Sequence, residues 1–280
     1  MTKRLLNLGC GGRFHPDWEN LDFSPIAPSV RAHDLRKGIP FPDESFDVVY
    51  HSHVLEHFPK GDAPVFLREC HRVLKQGGVI RVAVPDLERI ARMYLLALEK
   101  ASQGATGWNE NYDWMLLELY DQAVRETSGG SCYEYLRQDP IRNWEFIHER
   151  FGAEAVASRE AARKKGVAQQ NKTELFRVKW SYISHNVWKV CRNKLIGAIL
   201  RREELEALQV GWFRRGGEVH LWMYDGYSLA KLLLREGFFD PRVRTATESQ
   251  IPYWAQYCLD NEPDGSAYKP DSLYMEAVKS

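Results

Sequence analysis

The sequence has few cysteines, no long apolar run and no excess of either charge. Its five cysteines are odd in number, scattered and without a CxxC pair, which predicts reduced thiols in a cytoplasmic protein: Cys10, Cys70, Cys132, Cys191 and Cys258. No apolar run approaches the roughly 20 residues that a membrane-spanning helix needs, and the amino terminus has no secretory pattern. We therefore expect neither a disulfide framework nor a membrane segment.

The charges balance over the whole chain. Lysine and arginine total 38, aspartate and glutamate also total 38, and the formal net charge is zero. Such a chain has no global field that attracts nucleic acid or an anionic membrane. Its 280 residues can bury a sizeable core, as one large domain or as a domain with an insertion. The expected partner is a small molecule, and the expected state is a monomer or a homodimer.

The stretch from Arg4 to Asp22 has the pattern of a nucleoside site. An apolar run enters a turn of sequence Gly-Cys-Gly-Gly at positions 9–12, and a second short strand ends on Asp22. Glycines let the backbone bend sharply and bring bare N–H groups close to a ligand. A carboxylate at the end of the next strand can accept hydrogen bonds from both hydroxyls of a ribose. The alternative is a tight loop with no ligand.

Short strands and helices alternate over the first 86 residues, which is the pattern of βαβ units. The predicted strands are 4–9, Trp18–Asp22, Val30–Leu35, Phe46–Tyr50, Val79–Val84, Val243–Thr247 and Ser272–Val278. Asp62 and Asp225 are predicted to cap helices, and Gly77-Gly78 and Gly237 to end them. Histidines at 51, 53 and 57 follow the fourth strand, at the sheet edge where open α/β sheets bind ligands.

Several motifs in order carry a resemblance to a known family. They are the GxG turn at 9–11, Asp22, Asp34-Leu35, the segment 41–49, Leu55-Glu56-His57 and the segment 74–78. This order resembles class I S-adenosylmethionine (SAM) methyltransferases, and in particular the small-molecule "type 11" methyltransferases. The resemblance covers residues 3–86 and, more weakly, 219–280. It implies a Rossmann-like α/β fold, with a seven-stranded sheet whose last strand is antiparallel and helices on both faces.

The same resemblance implies SAM as cofactor and S-adenosyl-L-homocysteine as product. Asp22 would bind the ribose, and Asp34 with Leu35 would meet the adenine, although a helix cap is the alternative for Asp34. The residues expected at the cofactor are Asn7, Gly9, Cys10, Gly11, Asp22, Asp34, Leu35, His51 and Ser52. Two positions depart from the family's pattern, since Asn7 replaces an acid and Arg13 a frequent third glycine.

Residues 86–218 lie outside the family's pattern. Their periodic apolar positions predict a helical insertion that forms a lid or substrate region, with residues 1–85 and 219–280 as the SAM-binding core. The later half of the insertion is basic and carries interleaved tryptophans. This composition fits either a site for an acidic or aromatic substrate or, as we prefer, a solvated face over a tryptophan-rich core.

Methyl transfer to a hydroxyl group needs a base that takes the proton, and imidazole titrates near neutral pH. His220 is the first candidate because it precedes the last core helix, and His53 is the second. His57 is expected to order its loop by hydrogen bonding. His51 and His53 share one face of an extended segment, but no Cys or carboxylate set completes a metal shell with them, so no metal is expected.

The function expected from the sequence is O-methylation of a small molecule, such as a sugar or a secondary metabolite. One alternative is an N- or carboxyl-methyltransferase, which needs no strong base. Another is a catalytically silent SAM-fold module that binds a partner. The segment 51–54 reads His-Ser-His-Val and lacks the Asn/Asp-Pro-Pro-Tyr motif of enzymes that methylate amino groups of nucleic acids.

Overall fold

The apolar segments at the amino terminus form the centre of a seven-stranded sheet. The computed structural model describes residues 3–170, residue 196 and residues 199–280. The strands are β1 (Leu5–Leu8), β2 (Glu19–Asp22), β3 (Val30–Ala32), β4 (Phe46–Ser52), β5 (Leu74–Pro85), β6 (Phe238–Arg244) and β7 (Ser272–Lys279). Their order is β3-β2-β1-β4-β5-β7-β6, so the chain crosses to the other side of β1 between β3 and β4. Ligands bind at such a switch point in open α/β sheets.

The pairing of the strands confirms the predicted fold class. Strands β1 to β5 pair in parallel, whereas β7 pairs antiparallel with both β5 and β6. The parallel strands therefore end at one edge, which brings the turn after β1 next to the ends of β2 and β4. The amino end of the antiparallel β7 lies at this same edge, because Ser272 pairs with Pro85 at the end of β5.

Several strand boundaries differ from the prediction. The third strand ends at Ala32 and not at Leu35, because Leu35 begins a short 3₁₀ helix. The sixth strand starts at Phe238 and not at Val243, since Gly237 at φ 93° ends the preceding helix and turns the chain directly into the strand. Strand β5 starts at Leu74, so Gly77-Gly78 lies within it and does not end the preceding helix.

Helices α1 (Ala63–Val73) and α9 (Gly226–Arg235) pack on the sheet through apolar side chains. On α1 these are Phe66, Cys70 and Val73, all buried at the predicted helical spacing. Asp225 caps α9 as predicted, since its carboxylate accepts a hydrogen bond from the Ser228 N–H. The predicted cap at Asp62 is wrong, because its side chain makes no capping hydrogen bond to α1.

The described part of the segment 86–218 is mainly helical, with short turns between the helices. Its helices are α2 (Leu87–Ser102), α3 (Trp108–Leu116), α4 (Gln122–Val124), α5 (Gly130–Leu136), α6 (Trp144–Phe151), α7 (Ala153–Gln170) and α8 (Arg202–Arg214). A π-helical turn, Leu117–Asp121, joins α3 to α4. These helices have a core of their own around Trp114, Met115 and Ile147. The predicted basic and tryptophan positions between 172 and 194 lie outside the described residues.

In the described part of the chain, no helix combines the length and the apolar composition needed to cross a bilayer.

Candidate functional site

The glycine turn after β1 is held by its own backbone and by Asp22. The N–H of Gly9 donates to the carbonyl of Leu21 at 2.8 Å, and the N–H of Gly11 donates to Oδ2 of Asp22 at 2.8 Å. The other carboxylate oxygen accepts from the N–H of Ser24 at 2.7 Å. Each carboxylate oxygen has a second lone pair. Asp22 therefore orders the turn and still has acceptor capacity for a ligand.

Glycine is required at position 9 for two reasons. The residue has φ 65°, a left-handed conformation that side chains disfavour, and a Cβ there would lie 2.4 Å from Cγ2 of Val54. At Gly11 the φ angle is 50°, but no atom lies within 4 Å of the position of a Cβ. The close approach is thus specific to Gly9.

A cavity of about 540 Å³, the Asp22 cavity, opens beside this turn. Four of the predicted cofactor residues line it: Gly9, Asp22, Asp34 and Leu35. Phe23 and Val54 line it as well, and residues 214–217 at the end of the helical segment close one side. The volume lies in the range of ligand pockets, roughly 300–1,000 Å³.

Asp34 borders this cavity and also caps a short 3₁₀ helix, Leu35–Lys37. Its Oδ1 accepts from the N–H of Arg36 at 3.1 Å and pairs with the guanidinium Nε of Arg36 at 2.8 Å. The hydrogen bond from Arg36 holds the pKa of Asp34 below its usual value. The helix cap that the sequence offers as an alternative is therefore present, and the ionised carboxylate also faces the cavity.

A smaller cavity of about 230 Å³, the glycine-turn cavity, lies on the other side of the turn. Its lining includes five predicted residues, Asn7, Gly9, Cys10, Gly11 and Ser52. Asn7 is buried, and its amide donates to the carbonyl of Arg13 at 3.0 Å.

Arg13, at the position of the family's third glycine, ties the glycine turn to the carboxyl-terminal segment. Its guanidinium lies 3.7 Å from the centre of the Tyr268 ring and pairs with Glu262. The departure from the family's pattern therefore has a structural use here.

His51 differs from the other predicted residues. Its side chain is fully buried against the ring of Phe66, and it lines neither the Asp22 cavity nor the glycine-turn cavity. Burial lowers the pKa of His51 to about 4, so the imidazole is neutral at neutral pH. The structure does not bring His51 together with the other predicted cofactor residues.

A third cavity of about 450 Å³, the His220 cavity, joins the sheet edge to the helical segment. The helical segment contributes Gln122, Arg125, Phe151, Glu154 and residues 216–218. The core contributes His53, His57, Pro85, His220, Lys269 and Asp271. Most of the lining is polar or charged. Lys269 pairs with Glu154 at 2.9 Å, and burial raises the pKa of Asp271 to about 6.

His53 is the one histidine that lines all three of these cavities. Its backbone has φ 53°, and its N–H donates to the carbonyl of Ala83 at 2.9 Å. Its ring nitrogens are both engaged, with Nε2 2.8 Å from Oγ of Ser272 and Nδ1 3.2 Å from Oε1 of Glu56. The ring is therefore fixed at the junction of the cavities.

Glu56 is fully buried beneath three histidines, His53, His57 and His220. Burial raises the pKa of its carboxyl, but the hydrogen bond from His53 and the neighbouring imidazoles outweigh this effect and hold the pKa far below its usual range. Nε2 of His220 lies 4.0 Å from Oε1 of Glu56. Burial lowers the pKa of His220 to about 3, so its ring is neutral. The carboxylate is the charged centre of the cluster.

Backbone hydrogen bonds bring His220 to this position. The carbonyl of Glu56 accepts from the N–H groups of Leu221 and Trp222 at 2.7 and 3.2 Å, and the N–H of His220 donates to the carbonyl of Gln122 at 2.9 Å. As the sequence predicts, His57 makes a loop-ordering hydrogen bond, through Nδ1 to the carbonyl of Val219 at 3.1 Å. The returning chain thus passes over the carboxyl edge of the sheet.

Sequence reasoning missed Lys269, Asp271 and residues 214–217 as site residues. Lys269 and Asp271 precede β7, and the amino end of an antiparallel strand lies at the carboxyl edge of its parallel neighbours. Once the last strand is predicted to be antiparallel, the residues just before it become candidates for the site. Arg214 and Arg215 belong to the basic stretch that we interpret from the sequence as a solvated face, and no signal marks Gly216 and Gly217. All four reach the cavity through the packing of the helical segment.

The residues at this edge fit SAM. The turn at Gly9 leaves no room for a side chain, and it presents backbone to the two cavities that meet there. Asp22 has acceptor capacity for ribose hydroxyls, and Phe23 and Leu35 offer apolar surface for an adenine ring. Lys269 lines the glycine-turn cavity and is a candidate partner for the carboxylate of the methionine part.

Comparison with known proteins gives a family match in the amino-terminal third of the chain. The model of the family described as "Methyltransferase domain" matches residues 6–82. The "Probable S-adenosylmethionine-dependent methyltransferase" of Mycolicibacterium smegmatis is 44% identical over 99 residues, which are 29% of this chain and 38% of that protein. The chain therefore matches well under half the length of this curated relative.

Solved structures that are similar to this chain include SAM-dependent methyltransferases of two organisms. The protein of Thermotoga maritima is 14% identical, with a TM-score of 0.39 over 100% of this chain and 84% of that one. The protein of Archaeoglobus fulgidus is 11% identical, with a TM-score of 0.38 over 99% and 86% of the two chains.

The family match, the curated relative and the strand order agree with the resemblance drawn from the sequence motifs. Residues 6–82 match a methyltransferase domain, and the curated relative of the chain is a probable SAM-dependent methyltransferase.

Proposed function

We propose that the chain transfers the methyl group of SAM to a hydroxyl group of a small molecule, with a sugar or a secondary metabolite as acceptor. SAM, when bound, supplies an activated methyl group on its sulfonium. The observation that carries the proposal is the position of His53, which borders the Asp22 cavity, the glycine-turn cavity and the His220 cavity at once. A histidine at this junction is within reach of both the cofactor and an acceptor.

His53 is our choice for the base. The Nδ1 atom lies 3.2 Å from the buried carboxylate of Glu56, which favours the tautomer with the proton on Nδ1 and leaves the lone pair on Nε2. Nε2 can then take the proton of an acceptor hydroxyl as its oxygen bonds to the methyl carbon. Ser272, 2.8 Å from Nε2, is a polar neighbour that an acceptor hydroxyl would join or displace.

His220, the first candidate from the sequence, is the second candidate here. It lines the acceptor side, but burial holds its pKa at about 3 and makes the ring a weak base. Brønsted behaviour favours a base whose pKa is near the working pH. This argument disfavours His220 as the base without removing it from the acceptor cavity.

The polar lining of the His220 cavity supports a hydroxylated acceptor. Gln122, Arg125, Glu154, Lys269 and Asp271 offer hydrogen-bond donors and acceptors there. A cavity with this lining would leave buried polar groups unpaired against an apolar ligand, which is costly. The contribution of Gln122, Arg125 and Glu154 also supports the proposal that residues 86–218 form a substrate-covering insertion on a core of residues 1–85 and 219–280.

Two other functions stay open as proposals. A nitrogen or carboxyl acceptor would use the same cofactor site and would not need His53 as a base. A catalytically silent module would bind SAM and a partner without transfer. We further propose that the protein acts in the cytoplasm as a monomer or homodimer, without nucleic-acid or membrane partners. The free thiols of Cys10, Cys70, Cys132 and Cys258 support that compartment.

A labelled-methyl screen tests the proposal. The full chain is incubated with methyl-labelled SAM and a panel of sugars, phenols, amines and carboxylic acids, and products are identified by mass and position of the methyl group. A methyl ether is the expected product. An N-methyl product or a methyl ester would replace the proposal with the first alternative. Binding of S-adenosylhomocysteine without transfer to any acceptor would favour the silent module.

A further inference from the structure

The buried carboxylate of Glu56 has acceptor capacity that its protein neighbours do not fill. Both oxygens are inaccessible to solvent, and the nearest donor is Nδ1 of His53 at 3.2 Å from Oε1. Oε2 has no hydrogen-bond partner among the described residues. An ionised carboxylate is stable in a protein interior only when cations or donors compensate it. Oε2 of Glu56 therefore still has acceptor capacity for a further cationic partner.

Two imidazoles face this carboxylate in a form that can bind a metal. A ligand atom from each of Glu56, His57 and His220 lies within 4.8 Å of the other two. Nδ1 of His57 is engaged with the carbonyl of Val219 at 3.1 Å, so the Nδ1–H tautomer leaves the lone pair on Nε2. A backbone carbonyl that fixes the tautomer in this way is the usual outer partner of a metal-binding histidine.

The cluster opens toward the His220 cavity. Glu56 closes the buried side, while His57 and His220 line the His220 cavity. An ion held by these three residues would therefore have protein ligands on one face and an open position toward the cavity, the arrangement of catalytic zinc sites. Donors of a tetrahedral zinc lie roughly 3.4 Å apart at bonds of about 2.1 Å. The three ligand atoms lie further apart than this, within 4.8 Å of one another, so side-chain rotations would have to move them by about an ångström. His57, one of the three, is only half-buried.

We propose that Glu56, His57 and His220 bind a first-row divalent cation such as Zn²⁺ at the wall of the acceptor cavity. Imidazole and carboxylate donors suit Zn²⁺ and its neighbours and do not favour Mg²⁺, which prefers oxygen ligands. The sequence predicts no metal because it pairs His51 with His53 and leaves Glu56 out. The fold pairs Glu56 and His57 with His220, which lies 163 positions after His57 in the sequence.

The cation has a defined consequence for the acceptor side. With His220 as a ligand, His53 is left as the base, in agreement with its place at the junction of the cavities. A hydroxyl group at the open position of the ion would also lose its proton more readily, because a bound divalent cation lowers the pKa of an oxygen ligand. Cation binding is measured without any acceptor, so its failure leaves the proposed methyl transfer standing.

The test is titration of the chelator-treated full chain with Co²⁺ and, separately, with Zn²⁺ and Mg²⁺. We expect one equivalent of Co²⁺ to give visible d–d absorption and Zn²⁺ to displace it, with calorimetry giving the same stoichiometry; Mg²⁺ should do neither. Glu56→Gln, His57→Gln and His220→Gln should each weaken Co²⁺ binding by at least about a hundredfold, the upper end of the loss when even an outer partner of a ligand is removed. His148→Gln is the matched control, since His148 is an exposed histidine on α6.

Binding of S-adenosylhomocysteine and the melting temperature establish that each variant is folded. A wild-type chain that binds neither Co²⁺ nor Zn²⁺ near one equivalent overturns the proposal, and this result does not depend on any variant. Unchanged Co²⁺ spectra in the three folded ligand variants also overturn it. The same loss in His148→Gln would move the site elsewhere and likewise refute the assignment.

Discussion

Nδ1 of His53 lies 3.2 Å from Oε1 of Glu56, a carboxylate with no solvent exposure. This contact joins the residue at the junction of three cavities to the charged centre of the histidine cluster. It gives the ring a defined tautomer and orientation, which a base needs before its pKa matters. The same carboxylate lies beside His57 and His220, so the base and the proposed cation site share one buried charge.

Asp22→Ala should weaken binding of S-adenosylhomocysteine. The substitution removes a charged acceptor for ribose hydroxyls, and each hydrogen bond to such a group contributes roughly 1.5–3 kcal/mol, about ten- to hundredfold in affinity. It also releases the N–H groups of Gly11 and Ser24, which loosens the turn. Calorimetry on the folded variant measures the effect. Asp17→Ala, at an exposed acid outside the three cavities, is the control, and equal affinity in both variants would remove Asp22 from the site.

Gly9→Ala should destabilise the fold more than Gly11→Ala. Both positions have positive φ, and the strain of such a residue costs on the order of 1–3 kcal/mol. Only Gly9 adds a close contact, since its Cβ would lie 2.4 Å from Cγ2 of Val54. Denaturant unfolding of both single variants measures the difference, and Gly9→Ala combined with Val54→Ala should recover the part due to the contact. Equal losses at Gly9 and Gly11 would contradict this account.

Much of the site around the glycine turn is predictable from the sequence, because its residues lie close to one another along the chain. The glycine turn and Asp22 follow adjacent strands, so their order in the chain fixes their meeting at one sheet edge. Asp34 follows from the same logic, including the helix cap. His51 shows the limit of such reasoning, because alternation along β4 determines which side chains reach the edge, and His51 points into the core.

The acceptor half depends on contacts between distant segments. Glu56 joins residues around position 220 through backbone hydrogen bonds, and Lys269 and Asp271 arrive at the edge because β7 is antiparallel. No local pattern encodes that Arg125 and Glu154 of the helical segment line the same cavity. The sequence therefore predicts most residues that surround the glycine turn, with His51 as the exception, and leaves most of the proposed acceptor side open.

Gln122→Trp should obstruct acceptor binding and spare the cofactor. Gln122 lines the His220 cavity but neither of the other two, so a larger side chain there reduces the space for the acceptor. We expect a rise of about tenfold or more in the acceptor KM, the scale of a lost kilocalorie or two of binding. S-adenosylhomocysteine affinity should stay constant. Gln138→Trp, at an exposed glutamine away from this cavity, is the control. An unchanged KM would show that the acceptor binds elsewhere.

Asp271→Asn should raise stability at pH 8 more than at pH 4. Burial is the main reason that the pKa of Asp271 rises from 3.8 to about 6. The carboxylates of Glu118 and Glu154 also raise this pKa, whereas the charges of His53 and Lys269 lower it. A raised carboxyl pKa favours the neutral form in the folded state, so its stabilising contribution is full below pH 3.8 and is lost as the pH rises through about 6.

The shift from 3.8 to about 6 corresponds to roughly 3 kcal/mol once Asp271 is ionised, and asparagine avoids that cost. Denaturant unfolding of both proteins across this pH range measures the difference. A variant effect that does not change with pH would refute the raised pKa. Asp264→Asn is the control and should not gain stability at pH 8, because Asp264 is exposed and the hydrogen bonds from Ser266 lower the pKa of its carboxyl.

His53→Ala and His220→Ala separate the two candidates for the base. General-base catalysis typically contributes a factor of about 10²–10⁴, so His53→Ala should lower kcat by that order with SAM affinity nearly unchanged. His220→Ala removes a ring that is buried and uncharged, so it should lower the melting temperature. When the proposed divalent cation has been removed, this variant should not change kcat per folded molecule. Chelator-treated samples of both variants, compared with chelator-treated wild type, therefore isolate the base.

If His220→Ala alone loses rate under those conditions, the proton goes to His220, and the choice of His53 is wrong. If neither variant loses rate, the acceptor needs no base, and a nitrogen or carboxyl acceptor becomes the better proposal.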